Sequence, residues 1–376
     1  MRRGYGLTDL KILEALAVYG PRNLAEVSRK TGIHPETLRK KINRLSSQFF
    51  LRFNINVNYA RLGLKRAIVF AEAVPGYEDI LFDALKVNDF WIFVGRCYGM
   101  FEGCVGIFVI PWEFSSLFEQ YIDELKKLGL SIRTQIFWLT HIHSINSRCK
   151  WFDEKRAAWN FNWDEWMKEV ETGKGDASQV LLESEPLMAN VDETDILILK
   201  ELEIDARISF TKLGERLGIS PQLVRYHYYR HVIGEELLKS FEVTFLHFGK
   251  DSEFSFFIFS FDKEINMAKF ACSLMDKPFV KALGKILGKN QLYGYLYFPR
   301  NEFRKFLQVL SKLVRKKLLR SYQYAIQDLT NSSRATIPFQ CFKNGRWIYN
   351  HERYLKILNK FVKKEIVEKP PAIQSL

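Results

Sequence analysis

Apolar residues recur at helical spacing from the start of the chain. Leu10, Ile12, Leu13 and Leu16 set one apolar face behind Thr8, which can cap a helix. Gly20-Pro21 stops that helix. Leu24 and Val27 lead a second, shorter helix ending near Thr31-Gly32, and Pro35 sits where a first-turn proline belongs. The third helix runs to about Leu45 and buries Leu38, Ile42 and Leu45. Three helices with a glycine turn between the last two predict a helix-turn-helix. Residues 50–58 then alternate polar and apolar at the strand period, which suits a wing or a linking strand. Beyond Gly63 the pattern predicts a strand over 66–73, a helix over 77–86, strands over 90–96 and 101–110, a helix over 112–128 and a strand over 132–140.

The chain then repeats itself. Thr8-Asp9 returns as Thr194-Asp195, Gly32-Ile33-His34-Pro35 as Gly218-Ile219-Ser220-Pro221, and Arg39 and Arg44 as Arg225 and Arg230, each pair 186 positions apart. Trp159, Phe161, Asn162 and Trp166 return as Trp347, Tyr349, Asn350 and Tyr354, 188 apart. The second copy shows the same strand and helix order, with strands over 254–261, 279–286, 292–298 and 321–327 and helices over 265–275 and 302–317. The fold class is therefore α+β: two winged helix-turn-helix units, each followed by a ferredoxin-like βαββαβ domain, by internal duplication. The expected boundaries are 1–58 and 59–170 for the first copy, a linker over 171–190, 191–248 and 249–364 for the second, and a tail over 365–376. Each copy closes with an aromatic helical segment, Trp159–Val170 and Trp347–Phe361.

Composition narrows the function. Apolar residues are 47% and charged residues 26%, which excludes a disordered chain. The formal net charge of +13 is the footprint of a phosphate-rich partner. Five widely spaced cysteines, with no C-x-x-C pair, argue against a disulfide framework or a zinc ribbon. No signal peptide or membrane span is visible, so a cytoplasmic, nucleoid-associated protein is expected.

The order of elements resembles the leucine-responsive/asparagine (Lrp/AsnC) regulator family of bacteria and archaea. The residues that carry the likeness are 195–200 and 213–226 in the second copy, and 24–35 and Arg61-Leu-Gly-Leu in the first. The resemblance implies a transcription regulator that binds double-stranded DNA, here as a pseudo-dimer within one chain that can dimerise further and meet the transcription machinery. In that frame the first recognition helix offers Glu36, Thr37 and Lys40 to bases and Arg39, Lys41 and Arg44 to phosphates, with His34 at its start. The second offers Ser220, Gln222, Leu223, Arg225, Tyr226 and Arg230. Because Ile42 and Leu45 become Tyr228 and His231, the second helix is expected to pack differently.

Other chemistry is thin. His141 and His143 could begin a metal site, but no third ligand has the right spacing, Cys149 being the only near candidate, and no metal or cofactor is expected. The cluster of Trp151, Trp159, Trp163 and Trp166 suits core packing better than base stacking. A second basic run, Arg300 to Arg320, could extend a DNA track or form a solvated face. No P-loop, nucleophile elbow or dinucleotide fingerprint is present, so the protein is read as no enzyme. Two alternatives stay open: an enzyme resembling siroheme decarboxylases, which share this architecture, and a winged-helix adaptor of the transcription machinery.

Overall fold

The computed structural model describes residues 4–146, 149–175, 180–183, 185–249 and 251–368. The first half runs α1 (Leu7–Tyr19), α2 (Leu24–Thr31), α3 (Pro35–Gln48), β1 (Leu51–Val57), β2 (Leu64–Ala73), α4 (Glu78–Leu85), β3 (Trp91–Gly99), β4 (Gly103–Pro111), α5 (Ser115–Lys127) and β5 (Ser131–Leu139). Three two-residue strands follow, β6 (His143–Ser144), β7 (Phe152–Asp153) and β8 (Ala158–Trp159), and then α6 (Trp163–Thr172). The second half runs α7 (Glu193–Ile204), α8 (Phe210–Leu217), α9 (Pro221–His227), β9 (Leu238–Phe245), β10 (Ser252–Ser260), α10 (Glu264–Leu274), β11 (Val280–Lys285), β12 (Gln291–Pro299), α11 (Arg300–Arg315) and β13 (Ser321–Arg334). It closes with β14 (Phe342–Lys343), β15 (Arg346–Trp347) and α12 (His351–Glu368). The same order of helices and strands thus occurs twice, and the protein is α+β. Within the expected tail and linker, residues 369–376, 176–179 and 184 lie outside the described residues.

The chain forms two compact units, each drawing on both halves. One gathers the chain up to Asn58, Ile142–Leu182 and Ile198–Tyr322; the other gathers Tyr59–His141, Glu183–Leu197 and the chain from Gln323 onward. In the first unit β10, β12, β11 and β6 are hydrogen-bonded in that order, all antiparallel. In the second the order is β5, β2, β4, β3, β13, again antiparallel. Strand β13 runs beyond the expected 321–327 and bulges between Gln327 and Ser332 where it pairs with β3.

Each closing aromatic helix belongs to the other half's domain. Helix α6, from the first half, packs on α10 and α11 of the second. Its Trp163 and Trp166 are buried, and their rings lie 5.3–5.7 Å from those of Phe270, Phe279 and Phe306. Buried indole N–H groups need partners. Trp163 Nε1 donates to Glu302 Oε2 at 2.7 Å and Trp166 Nε1 to Ser273 Oγ at 3.0 Å. Trp151, Trp163 and Trp166 are thus core, while Trp159 is half-buried and donates from Nε1 to the Tyr5 hydroxyl at 2.8 Å. In the second unit the trade is reversed. Helix α12, from the second half, packs on α4 and α5 of the first. Trp347 Nε1 donates to the Leu62 carbonyl at 2.7 Å, and the Tyr349 hydroxyl accepts from Asn88 Nδ2 at 2.9 Å.

This exchange makes each half incomplete alone. Residues 1–190 expressed by themselves should expose Trp163 and Trp166, bind a hydrophobic dye and aggregate; co-expression with residues 191–376 should restore a soluble complex on size exclusion. Two independently soluble monomeric halves would contradict the exchange.

Candidate nucleic-acid interface

Both helix-turn-helix third helices lie in the first unit. In the first head, Gly32 takes the left-handed turn (φ 68°) between α2 and α3, and Ser28 Oγ donates to the Ile33 carbonyl at 2.7 Å. Pro35 opens α3, and His34 Nδ1 accepts the Glu36 backbone N–H at 3.3 Å, so the imidazole is spent on capping. Leu38, Ile42 and Leu45 are buried as expected, leaving Glu36, Thr37, Arg39, Lys40 and Asn43 exposed on the opposite face. The Glu36–Arg39 pair at 3.6 Å is exposed on both sides and constrains neither residue much.

Lys41 and Arg44 do something else. Both turn to Asp9 of α1, with Lys41 Nζ 3.0 Å from Oδ1 and Arg44 donating to Oδ2 at 2.6 Å. The same carboxylate accepts the Gly6 backbone N–H at 3.0 Å, which is why α1 starts at Leu7 ahead of the foreseen Thr8 cap. Burial pulls the Asp9 pKa up. The hydrogen bonds from Gly6, Lys41 and Arg44 outweigh that and hold it below the usual carboxylate value. These two cations therefore fasten α3 to α1 instead of standing out as phosphate ligands. The sequence could not show this, because Asp9 lies a whole helix away.

The second head repeats the turn with other atoms. Gly218 takes the left-handed conformation (φ 68°), Ser220 Oγ accepts the Leu223 N–H at 3.2 Å, and Pro221 opens α9. Gly214 occupies the place of Ser28; a Cβ there would meet the Ile219 carbonyl oxygen at 2.6 Å, so only glycine fits. Helix α9 ends at His227 and continues as a π-turn over Tyr228–Ile233, which buries Tyr228 and Val232. The expected change in packing is there. Ser220, Gln222, Leu223, Arg225, Tyr226, Tyr229 and Arg230 are exposed, and sequence reasoning had passed over Tyr229. The Arg225 guanidinium lies 5.7 Å from the Tyr229 ring centre.

The two heads are joined directly. Strands β1 and β9 pair antiparallel from Leu51↔Phe245 to Val57↔Leu238, so the strand foreseen as wing or linker serves as linker. Ala206 N–H donates to the Phe53 carbonyl at 2.8 Å. Arg22, in the α1–α2 turn, donates to the Ala206 carbonyl at 2.9 Å and lies 5.0 Å and 5.1 Å from the ring centres of Phe210 and Tyr228. Gly20 beside it (φ 86°) packs against the Phe241 ring, 2.6 Å from where a Cβ would stand. Elsewhere in the unit, His143 Nε2 lies 3.3 Å from Lys239 Nζ, an ammonium where a metal site would want a ligand.

A family model, the AsnC-type helix-turn-helix domain, matches residues 191–227. That class implies binding of double-stranded DNA. The solved structure of the siroheme decarboxylase NirDL shares the fold over 95% of this chain and 99% of its own, with a TM-score of 0.53 at 10% identity. Its complex with an iron-uroporphyrin III analogue covers 94% and 98%, at 9% identity and the same TM-score of 0.53. The AsnC protein of E. coli covers 40% of this chain and 99% of its own, at 16% identity and a TM-score of 0.30. No curated protein matches the sequence. The expectation that the chain is no enzyme is contradicted by this likeness, which gives 95% of the chain the fold of an enzyme and leaves enzymatic activity open to it. Among the described residues no helix is long and apolar enough to cross a membrane.

The Asp9 anchor has a pH signature. A carboxyl held below its unfolded pKa of about 4 stabilises the fold above that value, and the contribution is lost as pH falls through the folded pKa. Asp9→Asn should cost about 2 kcal/mol at pH 7, since it leaves two half-buried cations without their counter-charge. The difference from wild type should shrink below pH 4. Urea unfolding at pH 7 and pH 3.5 measures both, and a constant difference across that range would remove Asp9 from this role.

Proposed function

We propose that the protein is a DNA-binding regulator of transcription with two unlike reading heads in one chain, an internal pseudo-dimer built from a duplicated helix-turn-helix and βαββαβ module. One observation carries this reading: both third helices bury their apolar faces and turn polar, base-competent side chains outward from a single unit. A helix fits the major groove, where Thr37 and Lys40 on the first head can reach base edges and Glu36 can accept from cytosine. On the second head Gln222 suits adenine, Arg225 suits guanine, and Leu223 and Tyr226 suit the thymine methyl group. Arg39 and Arg230 remain for phosphates, and Ser220 caps its helix. Because the heads differ at every one of these positions, the preferred site has two unlike halves.

A second reading rests on the likeness, over 95% of the chain, to NirDL, a siroheme decarboxylase. In that reading this chain would bind a carboxylated tetrapyrrole, and +13 of net charge suits such an anion as well.

Selection from random duplexes at two salt concentrations separates the readings. The first predicts an enriched asymmetric motif, with binding that weakens steeply as salt rises through counterion release. The Thr37→Ala, Lys40→Ala double variant should lose about tenfold or more in affinity with an unchanged Tm, whereas Lys41→Ala, Arg44→Ala should lower Tm. Absence of any enriched motif, together with a shifted absorption spectrum on mixing with siroheme, would favour the second.

A further inference from the structure

Helix α11 and the turn after it carry Arg300, Arg304, Lys305, Lys312, Arg315, Lys316, Lys317 and Arg320, all exposed. Four of these have acidic neighbours: Arg300 with Glu253, Lys305 with Glu302, Lys316 with Glu171, and Arg320 with Asp262. Among the described residues, Arg304, Lys312, Arg315 and Lys317 have no such ion pair. At 3.6 residues per turn, Arg304, Lys312 and Arg315 fall within about 80° of one another, a stripe about 16 Å long. That length faces about five phosphates of one DNA strand.

The fold does not require this charge. Helix α5, at the same place in the other copy, has three acids against two bases, and its Lys126 and Lys127 pair with Asp123 and Glu124 one turn back. Helix α11 has five bases against one acid, and that acid, Glu302, is buried on Trp163. The turns that end the two helices make the contrast sharper. In both the chain closes with the same backbone bonds, Leu130 N–H to the Leu125 carbonyl and Leu318 N–H to the Leu313 carbonyl. The left-handed position is Gly129 (φ 71°) in one copy and Lys317 (φ 57°) in the other, 188 residues on. Glycine is at ease there, and a side chain costs about 1 kcal/mol. The second copy holds a lysine at the one position where folding favours glycine.

We propose that the outer face of α11, through Arg304, Lys312, Arg315 and Lys317, is a second nucleic-acid contact of the first unit, gripping the phosphate backbone without reading bases. It rests on the DNA-binding reading and adds a surface outside the helix-turn-helix heads. It takes duplex DNA of any sequence, and its contribution is additive to that of the heads.

The test uses the full-length protein and a duplex of about 40 bp, with affinity measured as salt is varied. Each phosphate contact adds about 0.9 to the slope of log K against log salt. Replacing all four residues by glutamine should lower that slope by about 2–4 while leaving the preference among sequences unchanged. The Thr37→Ala, Lys40→Ala head variant should do the reverse, losing preference and keeping most of the slope. The Lys317→Gly variant should raise Tm and lower the slope by about one, a pairing that a merely structural lysine cannot give. An unaltered slope in the glutamine variant, with wild type still binding, would overturn the proposal and spare the heads. Should the fourfold variant misfold, Arg304→Gln, Arg315→Gln carries the test at about half the effect. Binding of wild type to anionic phosphatidylserine vesicles but to no duplex would overturn this proposal and the DNA reading together.

Discussion

The β1–β9 ribbon is the constraint on which the two helix-turn-helix units depend. Seven residues of each strand pair through backbone hydrogen bonds, and a slip of one residue would turn every side chain to the other face. Phe53, Ile55 and Val57 are buried on β1, so such a slip would expose them. The ribbon is reinforced where the heads meet: Ala206 on the Phe53 carbonyl, Asn54 Nδ2 on the Glu203 carbonyl, and Arg22 between Phe210 and Tyr228. The separation of the two third helices is thus set by main-chain geometry. Two heads held in one chain also avoid the association entropy that a dimer must overcome.

The two halves meet the same geometric demand with different chemistry. The helix-turn-helix turn is closed by the Ser28 hydroxyl in one head and by the bare Cα of Gly214 in the other. Helix α3 is fastened by Lys41 and Arg44 on Asp9, while the counterpart of Lys41 is His227 and the helix it belongs to relaxes into a π-turn. The exchange of α6 and α12 then prevents the copies from separating, since each sheet's aromatic cover is encoded in the opposite half.

Most of the fold was legible because hydrophobic period and turn residues are local signals, and the repeat supplied a second reading of each. The helix and strand order held in both halves, with most ends displaced by about one to four residues, while β13 and α12 run on to Arg334 and Glu368 past the expected 327 and 361. What stayed hidden was long-range. Nothing local marks Lys41 and Arg44 as partners of Asp9, since basic residues on a helix look alike whether they face solvent or a carboxylate. Arg22 follows the Gly20-Pro21 breaker and carries no local signal of its own, and its place between two rings of the other half depends on the ribbon. The destination of Trp163 and Trp166 was likewise invisible: their pattern says buried, not against which half. The site residues on α3 and α9 were legible as exposed because their opposite faces are so plainly apolar.

An enzyme's architecture and a DNA-binding class of helix-turn-helix in one chain are not in conflict. A scaffold shared at 10% identity fixes the path of the backbone and leaves almost every side chain free, and function lives in side chains placed on folds. The side chains that this chain turns outward from its third helices are Thr37, Lys40, Gln222 and Arg225, donors and acceptors of the kind that base edges present. Architecture alone would weigh the enzyme and the regulator equally. The polarity of these two faces is a property of this sequence and not of the scaffold, and it is the observation on which the DNA-binding proposal rests.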